Sequence, residues 1–419
     1  GNAYGNLGET HKAIDYYEQA LAIAREINDR SEEEYRLGDL GNACADLGEK
    51  RKAIDYYEQA LAIAREIGDR RYEGWWLGGL GNACADLSET RKAIDYYEQA
   101  LAIAREIKDR NGEEYRLDDL GNAYGNLGET RKPIDYYEQA LAIAREIKDR
   151  KGEGIHLGHL GNAYRNLGET RKAIDYYEQA LAIAREIKER SVEGWWLDRL
   201  GIVYSNLGET RKAIDYYEQA LSIAREAGYK RGEVETLGNI GYVCFIEEDF
   251  NKSVEYFLQA LEIAKNVEDY VQISYVLLNL AYAFHYHSNL SDAEQYYRES
   301  LKLEYPLDNC QSAVLLGLLL LEKGKSADAE DSIKRGISIC REILEKTPDL
   351  FKQLYKLALA LLASGDSQAS LETYRKALTI CSAKGVVKLA LIDLNLLERA
   401  APNIEGLANA RQMLTDAQT

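Results

Sequence analysis

The hydrophobic and polar positions of this chain follow a helical pattern that returns every forty residues. In the segment 31–70, apolar side chains fall three and four residues apart on both sides of Gly48. This spacing places the apolar side chains of each stretch on one helical face. Each unit is therefore predicted to be an antiparallel helical hairpin, with its second helix beginning near Lys50.

Local signals refine the helix boundaries. Ser31, followed three residues later by Glu34, predicts a capping box at the start of the first helix. The segment 68–70, Gly-Asp-Arg, is predicted to turn the chain into the next unit. Pro133 falls in the first turn of its predicted helix, where proline is tolerated because those N–H groups have no helical partner.

The stretch RKAIDYYEQALAIAREI at 51–67 recurs unchanged at 91–107 and 171–187. Near copies lie at His11–Ile27, Arg131–Ile147 and Arg211–Ala227. A fixed period of this length in helical sequence indicates a solenoid, in which each unit buries its apolar face against its neighbours. We therefore predict an all-α solenoid of about ten helical hairpins.

The repeats become less similar to one another along the chain, and this change suggests a domain organisation. Residues 1–304 form a regular forty-residue array, with near-identical repeats at 1–230 and diverged repeats at 231–304. Pro306 then breaks the step. Terminal solenoid repeats differ because one face meets water, so 305–419 is predicted to hold degenerate repeats and a C-terminal cap.

The small and large residues of the unit resemble the tetratricopeptide repeat. The matching positions are Leu40, Gly41, Cys44, Gly48, Ala53, Tyr57 and Ala60. The forty-residue step, and Leu37 in place of the family's usual aromatic residue, are similar to the Pins/LGN adaptors and kinesin light chains. The resemblance implies a right-handed superhelix whose first helices line a concave groove that holds peptides.

Variation between copies is concentrated in the first helix, whereas the second helix is nearly constant. Positions 35, 38, 42 and 46 of the unit lie on one stripe of the first helix. The resemblance places this stripe in the groove. The predicted peptide-binding residues are Asn42, Asn82, Asn122, Asn162, Asp46, Asp86, Asn126, Asn166, Tyr35, Trp75, Tyr115, Trp195, Asp118 and Asp198.

Each group of this set has an expected role. Asparagine amides donate and accept, so a ladder of them could clamp a peptide backbone, and aromatic rings would provide anchors. Glycines at 38, 78 and 158 are expected to leave room above the ladder. Acidic residues in the stripe favour a basic or aromatic peptide. Alternatively, the asparagines only join adjacent helices and the rings pack between repeats; one ring of each Trp-Trp pair is expected in the core.

Composition limits the other function classes. A formal charge of −18 disfavours nucleic acid, whose binding depends on clustered lysine and arginine. The most apolar stretch, 313–321, is too short to insert in a membrane. Three of the six cysteines share one repeat position, so they are interpreted as buried free thiols in a reducing compartment. We expect a cytoplasmic protein.

No arrangement of residues predicts catalysis or a cofactor. Gly324-Lys325-Ser326 lacks the earlier glycine of a phosphate-binding loop. His156 and His159 share a helical face, but no third metal ligand is near in sequence, so a polar groove lining is favoured.

We therefore predict a non-enzymatic scaffold that binds an extended or short helical segment of a protein partner. The main alternative is the sensor array of a larger signalling protein, since the chain starts in mid-repeat. RNA binding and self-association into a filament are further alternatives.

Overall fold

A computed structural model describes residues 10–418 of the chain. This range contains twenty-one α-helices and no strand. The helices are α1 Thr10–Glu26, α2 Arg30–Asp46, α3 Lys50–Ile67, α4 Arg70–Asp86, α5 Thr90–Glu106, α6 Arg110–Asn126, α7 Lys132–Ile147, α8 Arg150–Asn166, α9 Thr170–Glu186, α10 Arg190–Asn206, α11 Thr210–Glu226, α12 Lys230–Ile246, α13 Phe250–Asn266, α14 Tyr270–Tyr286, α15 Leu290–Leu301, α16 Pro306–Glu322, α17 Ser326–Lys346, α18 Phe351–Ala363, α19 Ser367–Ile380, α20 Lys384–Ala400 and α21 Leu407–Asp416.

From α2 onward the helices form ten consecutive pairs, each an even-numbered first helix followed by an odd-numbered second helix. The predicted all-α class and the number of hairpins are confirmed. The chain divides into two compact units, residues 1–156 and 157–419, with the boundary inside α8.

The second helices begin where the sequence pattern predicts, but the first helices begin with a different cap. α2 starts at Arg30, and the Asp29 carboxylate caps it by accepting a hydrogen bond from the Glu32 N–H. The predicted Ser31 capping box is therefore wrong, because the helix has already begun at that residue. Asp69 caps α4 in the same way. Pro133 lies in the first turn of α7, as expected.

Close packing within each hairpin depends on a glycine of the first helix. A Cβ atom added to Gly41 would lie 2.5 Å from the ring of Tyr57, a residue of α3. The tyrosine ring therefore rests directly on the backbone of the first helix, and a larger residue would push the helices apart. The same contact recurs at Gly81, Gly121, Gly161, Gly201 and, with a phenylalanine, at Gly241.

In the second unit, helix α20 lies across the C-terminal ends of several first helices. Tyr282 on α14 donates a hydrogen bond to Asp393 on α20 at 2.6 Å, and Asp393 also pairs with Lys356 at 2.7 Å. Arg399 on α20 donates to the Tyr286 carbonyl at 2.9 Å and pairs with Glu322. The C-terminal helices therefore cover part of the first-helix side of the second unit.

The six cysteines differ in whether their sulfur is free or forms a disulfide. Cys310 and Cys340 form a disulfide between α16 and α17, a pairing that the sequence analysis missed. The cysteines at the shared repeat position are free and buried, as expected, and so is Cys381. None of the helices in residues 10–418 has both the length and the apolar character needed to span a membrane.

Candidate peptide-binding site

The asparagines at the predicted ladder positions are each bound through the amide oxygen within their own hairpin. Asn42 accepts a hydrogen bond from the Tyr57 hydroxyl of its own hairpin at 2.7 Å. The same bond is made in the next three hairpins: Tyr97 to Asn82 at 2.7 Å, Tyr137 to Asn122 at 2.8 Å and Tyr177 to Asn162 at 2.7 Å. These bonds hold the amide carbonyl of each asparagine toward the second helix of its own hairpin. Since only the oxygen is engaged, the NH₂ group of Asn42 or Asn82 can donate to a ligand carbonyl.

The two Trp-Trp pairs divide as expected, with one ring in the core and one at the surface. Trp76 and Trp196 are 5% and 0% exposed, whereas Trp75 and Trp195 are 51% and 44% exposed. Tyr115, at the equivalent position, is 59% exposed. Large rings that stay this exposed in a folded repeat are candidates for contact with a partner.

The expected space above the glycines is absent, so that prediction is wrong. A Cβ atom on Gly38 would lie 1.9 Å from the Trp76 ring, and one on Gly158 would lie 1.9 Å from the Trp196 ring. The Arg116 guanidinium occupies the same place above Gly78. The glycines therefore receive a side chain from the next first helix, and this contact locks neighbouring hairpins together.

Where aspartate replaces the glycine, a polar side chain fills the same place. In the first unit, His156 is 3% exposed, with Nδ1 3.0 Å from Asp118 and Nε2 2.8 Å from Glu114. It is buried between helices, so the prediction that it lines the groove is wrong. Burial lowers the pKa of His156, but the two carboxylates outweigh this effect and raise it to about 9.

The acidic residues of the stripe are largely committed to partners within the protein. Asp86 pairs with Lys50 at 2.5 Å. Asp198 is buried and accepts a hydrogen bond from Asn239 at 3.0 Å. Asp46, in contrast, is exposed. Few carboxylates therefore remain to attract a basic ligand.

In the first unit, four of the predicted residues line one cavity of about 430 Å³ between α4, α5 and α6. We call it the first Trp cavity; its main lining residues are Asn42, Trp75, Asn82, Ile103, Tyr115 and Arg71. Its volume lies within the range of cavities that hold a small ligand or a few side chains. Tyr35, Asp46, Asp86, Asn126 and Asp118 do not line it.

A related cavity of about 490 Å³ lies in the second unit between α10, α11 and α12. We call it the second Trp cavity; it is lined by Trp195, Ile223, Ala220, Ala224, Tyr229 and Arg199, among others. Trp195 and Ile223 stand forty-residue multiples away from Trp75 and Ile103. The two cavities are therefore built at the same place in different repeats.

Each Trp cavity has a glycine on each of two neighbouring first helices. One glycine precedes the exposed tryptophan, and the other lies in the first turn of the next first helix; the pairs are Gly74 with Gly112 and Gly194 with Gly232. The first helix α6 has Glu114 in place of the first glycine of the pair. The Glu114 carboxylate lies 2.2 Å from the position that a Cβ atom on Gly152, the second glycine, would take. A side chain at the first position therefore occupies the space beside the second glycine. This double-glycine pattern is visible in the sequence and was missed.

Stacked hairpins with binding-sized cavities between them define the chain as a helical-hairpin repeat protein. Models of the tetratricopeptide repeat match residues 1–66, 37–106, 72–146, 113–186, 153–226 and 233–303, and a second model of this repeat matches 354–384. The chain therefore belongs to the tetratricopeptide repeat family. No curated protein matches it.

Solved structures share the fold. The apo form of the quorum sensor NprR from B. thuringiensis has a TM-score of 0.58 at 16% identity, covering 80% of this chain and 99% of that chain. Aspartyl phosphate phosphatase F from Bacillus subtilis has a TM-score of 0.57 at 15% identity, covering 81% and 93%. A STAND (signal transduction ATPase with numerous domains) protein from Pyrococcus horikoshii with a tetratricopeptide repeat sensor has a TM-score of 0.55 at 18% identity, covering 81% and 50%. At these identities the likeness concerns the fold alone.

Proposed function

We propose that this chain is a non-enzymatic scaffold that binds a peptide segment of another protein through the first Trp cavity. The observation that carries the proposal is the convergence there of Trp75, Tyr115, Asn42 and Asn82 from three first helices. Tetratricopeptide repeat proteins bind protein or peptide partners. The second Trp cavity would accept an anchor of the same kind.

The chemistry of the cavity favours an aromatic or aliphatic anchor side chain. Ile103, Ala100 and Ala104 form its apolar floor, and the exposed face of Trp75 forms one wall. The amide groups of Asn42 and Asn82 would hold the peptide backbone beside the anchor. Because most acidic residues of the stripe are paired or buried, the proposal rests on the anchor and does not require a basic ligand.

Selection of a random peptide display library on the chain would test this proposal. We expect enriched peptides to contain aromatic or aliphatic anchors. Trp75→Ala should weaken binding by about 2 kcal/mol, or roughly thirtyfold in Kd, since a half-exposed ring that becomes buried by a ligand is a hot-spot contact. Trp75 is half-exposed, so this variant should keep the stability of the wild type.

Asn82→Ala needs a control, because it also removes the hydrogen bond to Tyr97. Tyr97→Phe removes the same bond but leaves the asparagine in place. We expect Asn82→Ala to weaken peptide binding by about 1 kcal/mol more than Tyr97→Phe, the value of one hydrogen bond. Equal affinities for the wild type, Trp75→Ala and Asn82→Ala would contradict the proposal.

A second proposal is that the array recognises a ligand for a larger signalling protein. It is supported by the match to half of a STAND protein whose description includes a tetratricopeptide repeat sensor, and by the C-terminal helices that cover part of the second unit. Sequencing the whole reading frame would test it. A nucleotide-binding domain in the same frame is expected, and its absence would contradict the proposal.

A further inference from the structure

Three basic side chains from distant parts of the sequence line one cavity in the second unit. Arg165 lies on α8, Arg199 on α10 and Lys352 in the first turn of α18. The cavity has a volume of about 400 Å³, and we call it the basic cavity. Asp198 and Glu235 also line it, so three cations face two carboxylates, in a chain of net charge −18.

None of the three cations forms an ion pair within the described part of the chain, although Asp198 attracts both arginines. Among residues 10–418, no carboxylate lies within 4.0 Å of the Arg165, Arg199 or Lys352 side-chain nitrogens. Arg165 and Arg199 are half-buried and Lys352 is exposed, and the three like charges facing one cavity repel one another. Such an arrangement is typical of a site that is completed by an anion.

The two carboxylates that face the cavity are already engaged. Asp198 accepts a hydrogen bond from Asn239 at 3.0 Å. Glu235 accepts from Arg231 at 3.2 Å and from Gln272 at 3.0 Å. Both carboxylates are therefore engaged with neutral or more distant groups as well as with the cations, and neither pairs directly with Arg165, Arg199 or Lys352.

The electrostatic state of the cations agrees with this geometry. The surrounding protein and the positive charges of Arg165 and Arg199 lower the pKa of Lys352, although its side chain is exposed. Burial also lowers the pKa of Arg165, with repulsion from Arg199 contributing. The three charges therefore act on one another and on whatever occupies the space between them.

The backbone of α18 adds to the same potential. Leu350, Phe351 and Lys352 line the cavity at the start of this helix. No side chain caps this end of α18. The first N–H groups of a helix carry a partial positive charge and are good donors to anions. The start of α18 therefore adds positive potential to this wall of the cavity.

We propose that the basic cavity binds a small polyanion, held by Arg165, Arg199 and Lys352 through its phosphate or carboxylate groups. Arginine forks suit both kinds of oxyanion, and the amides of Asn166, Asn206 and Asn239 also line the cavity. The volume suits a small molecule. This site is separate from the first Trp cavity, and it shares Arg199 with the second Trp cavity.

Isothermal titration calorimetry of the full chain at low salt would test the site, with inorganic pyrophosphate and citrate as probes. We expect one bound anion per chain. Lys352→Gln and Arg165→Gln should each weaken binding about tenfold to hundredfold, the effect of losing one charge-assisted hydrogen bond. Arg298→Gln is the matched control, because Arg298 is exposed and pairs with Glu294 on α15, away from the cavity.

Thermal unfolding gives an independent readout. Lys352→Gln should raise the Tm of the anion-free protein, because it removes repulsion, and should abolish the Tm increase that the bound anion causes. Binding of pyrophosphate alone, of citrate alone or of both supports the site and identifies its anion class. If neither probe binds, or if Arg298→Gln weakens binding as much as Lys352→Gln, the proposal is overturned.

Discussion

The stability of the first unit should depend on the protonation of His156. Its imidazole is buried between Glu114 at 2.8 Å and Asp118 at 3.0 Å, and its pKa is raised from 6.5 to about 9. A pKa that is higher in the folded state means that the folded protein binds the proton more tightly. The charged imidazole therefore stabilises the fold.

The pH window follows from the sign of this shift. The contribution is fully present below about pH 6.5, where His156 is protonated in both states, and is lost as the pH rises through about 9. The rise in pKa from 6.5 to about 9 corresponds to about 3 kcal/mol of stability. Because a native domain is typically stable by only about 5–15 kcal/mol, this loss should be easy to measure.

Two measurements would check the prediction. Urea unfolding followed by circular dichroism should show a midpoint that falls between about pH 6.5 and about pH 9 in the wild type. The decrease should be much smaller in His156→Gln, which keeps a polar side chain without a proton to lose in this range. An NMR titration of the five histidines should show one imidazole with a pKa near 9. If all five titrate between about pH 6 and about pH 7, or if both proteins lose stability equally, the reasoning is refuted.

Two further predictions concern packing and covalent structure. Gly38→Ala should destabilise the chain by about 1–3 kcal/mol, because its Cβ would collide with the Trp76 ring. Gly125→Ala is the control: its Cβ would meet only a Pro133 atom at 3.8 Å, so it should leave stability unchanged or raise it by up to about 1 kcal/mol. Thermal unfolding of both variants tests this prediction. A Gly38→Ala protein with the Tm of the wild type would contradict the contact between Gly38 and Trp76. Alkylation of the unfolded, unreduced chain should modify four cysteines, and reduction should expose two more, Cys310 and Cys340. Modification of all six before reduction would contradict the disulfide.

The sequence alone determined the class of fold and the starts of the second helices. Near-identical copies of one amphipathic stretch are compatible with few folds, because the fixed spacing of apolar residues and glycines defines each helix and each close contact within a hairpin. The separation of Trp75 from Trp76 could also be expected, since neighbouring residues on a helix face different directions. The start of α2 was misplaced because Asp29 and Ser31 are both good caps, and only the turn geometry selects between them.

The tertiary structure decided what fills the space between hairpins. Whether the gap above Gly38 is open depends on a tryptophan thirty-eight residues later, and no pattern within one repeat shows that distance. The basic cavity needs α18 to lie beside α8 and α10, which is set by how the C-terminal helices pack within the second unit. The repeat period specifies the contacts between helices that are adjacent in sequence. Cavities and charge clusters depend on side chains that are far apart in sequence, and only the folded structure places these side chains next to each other.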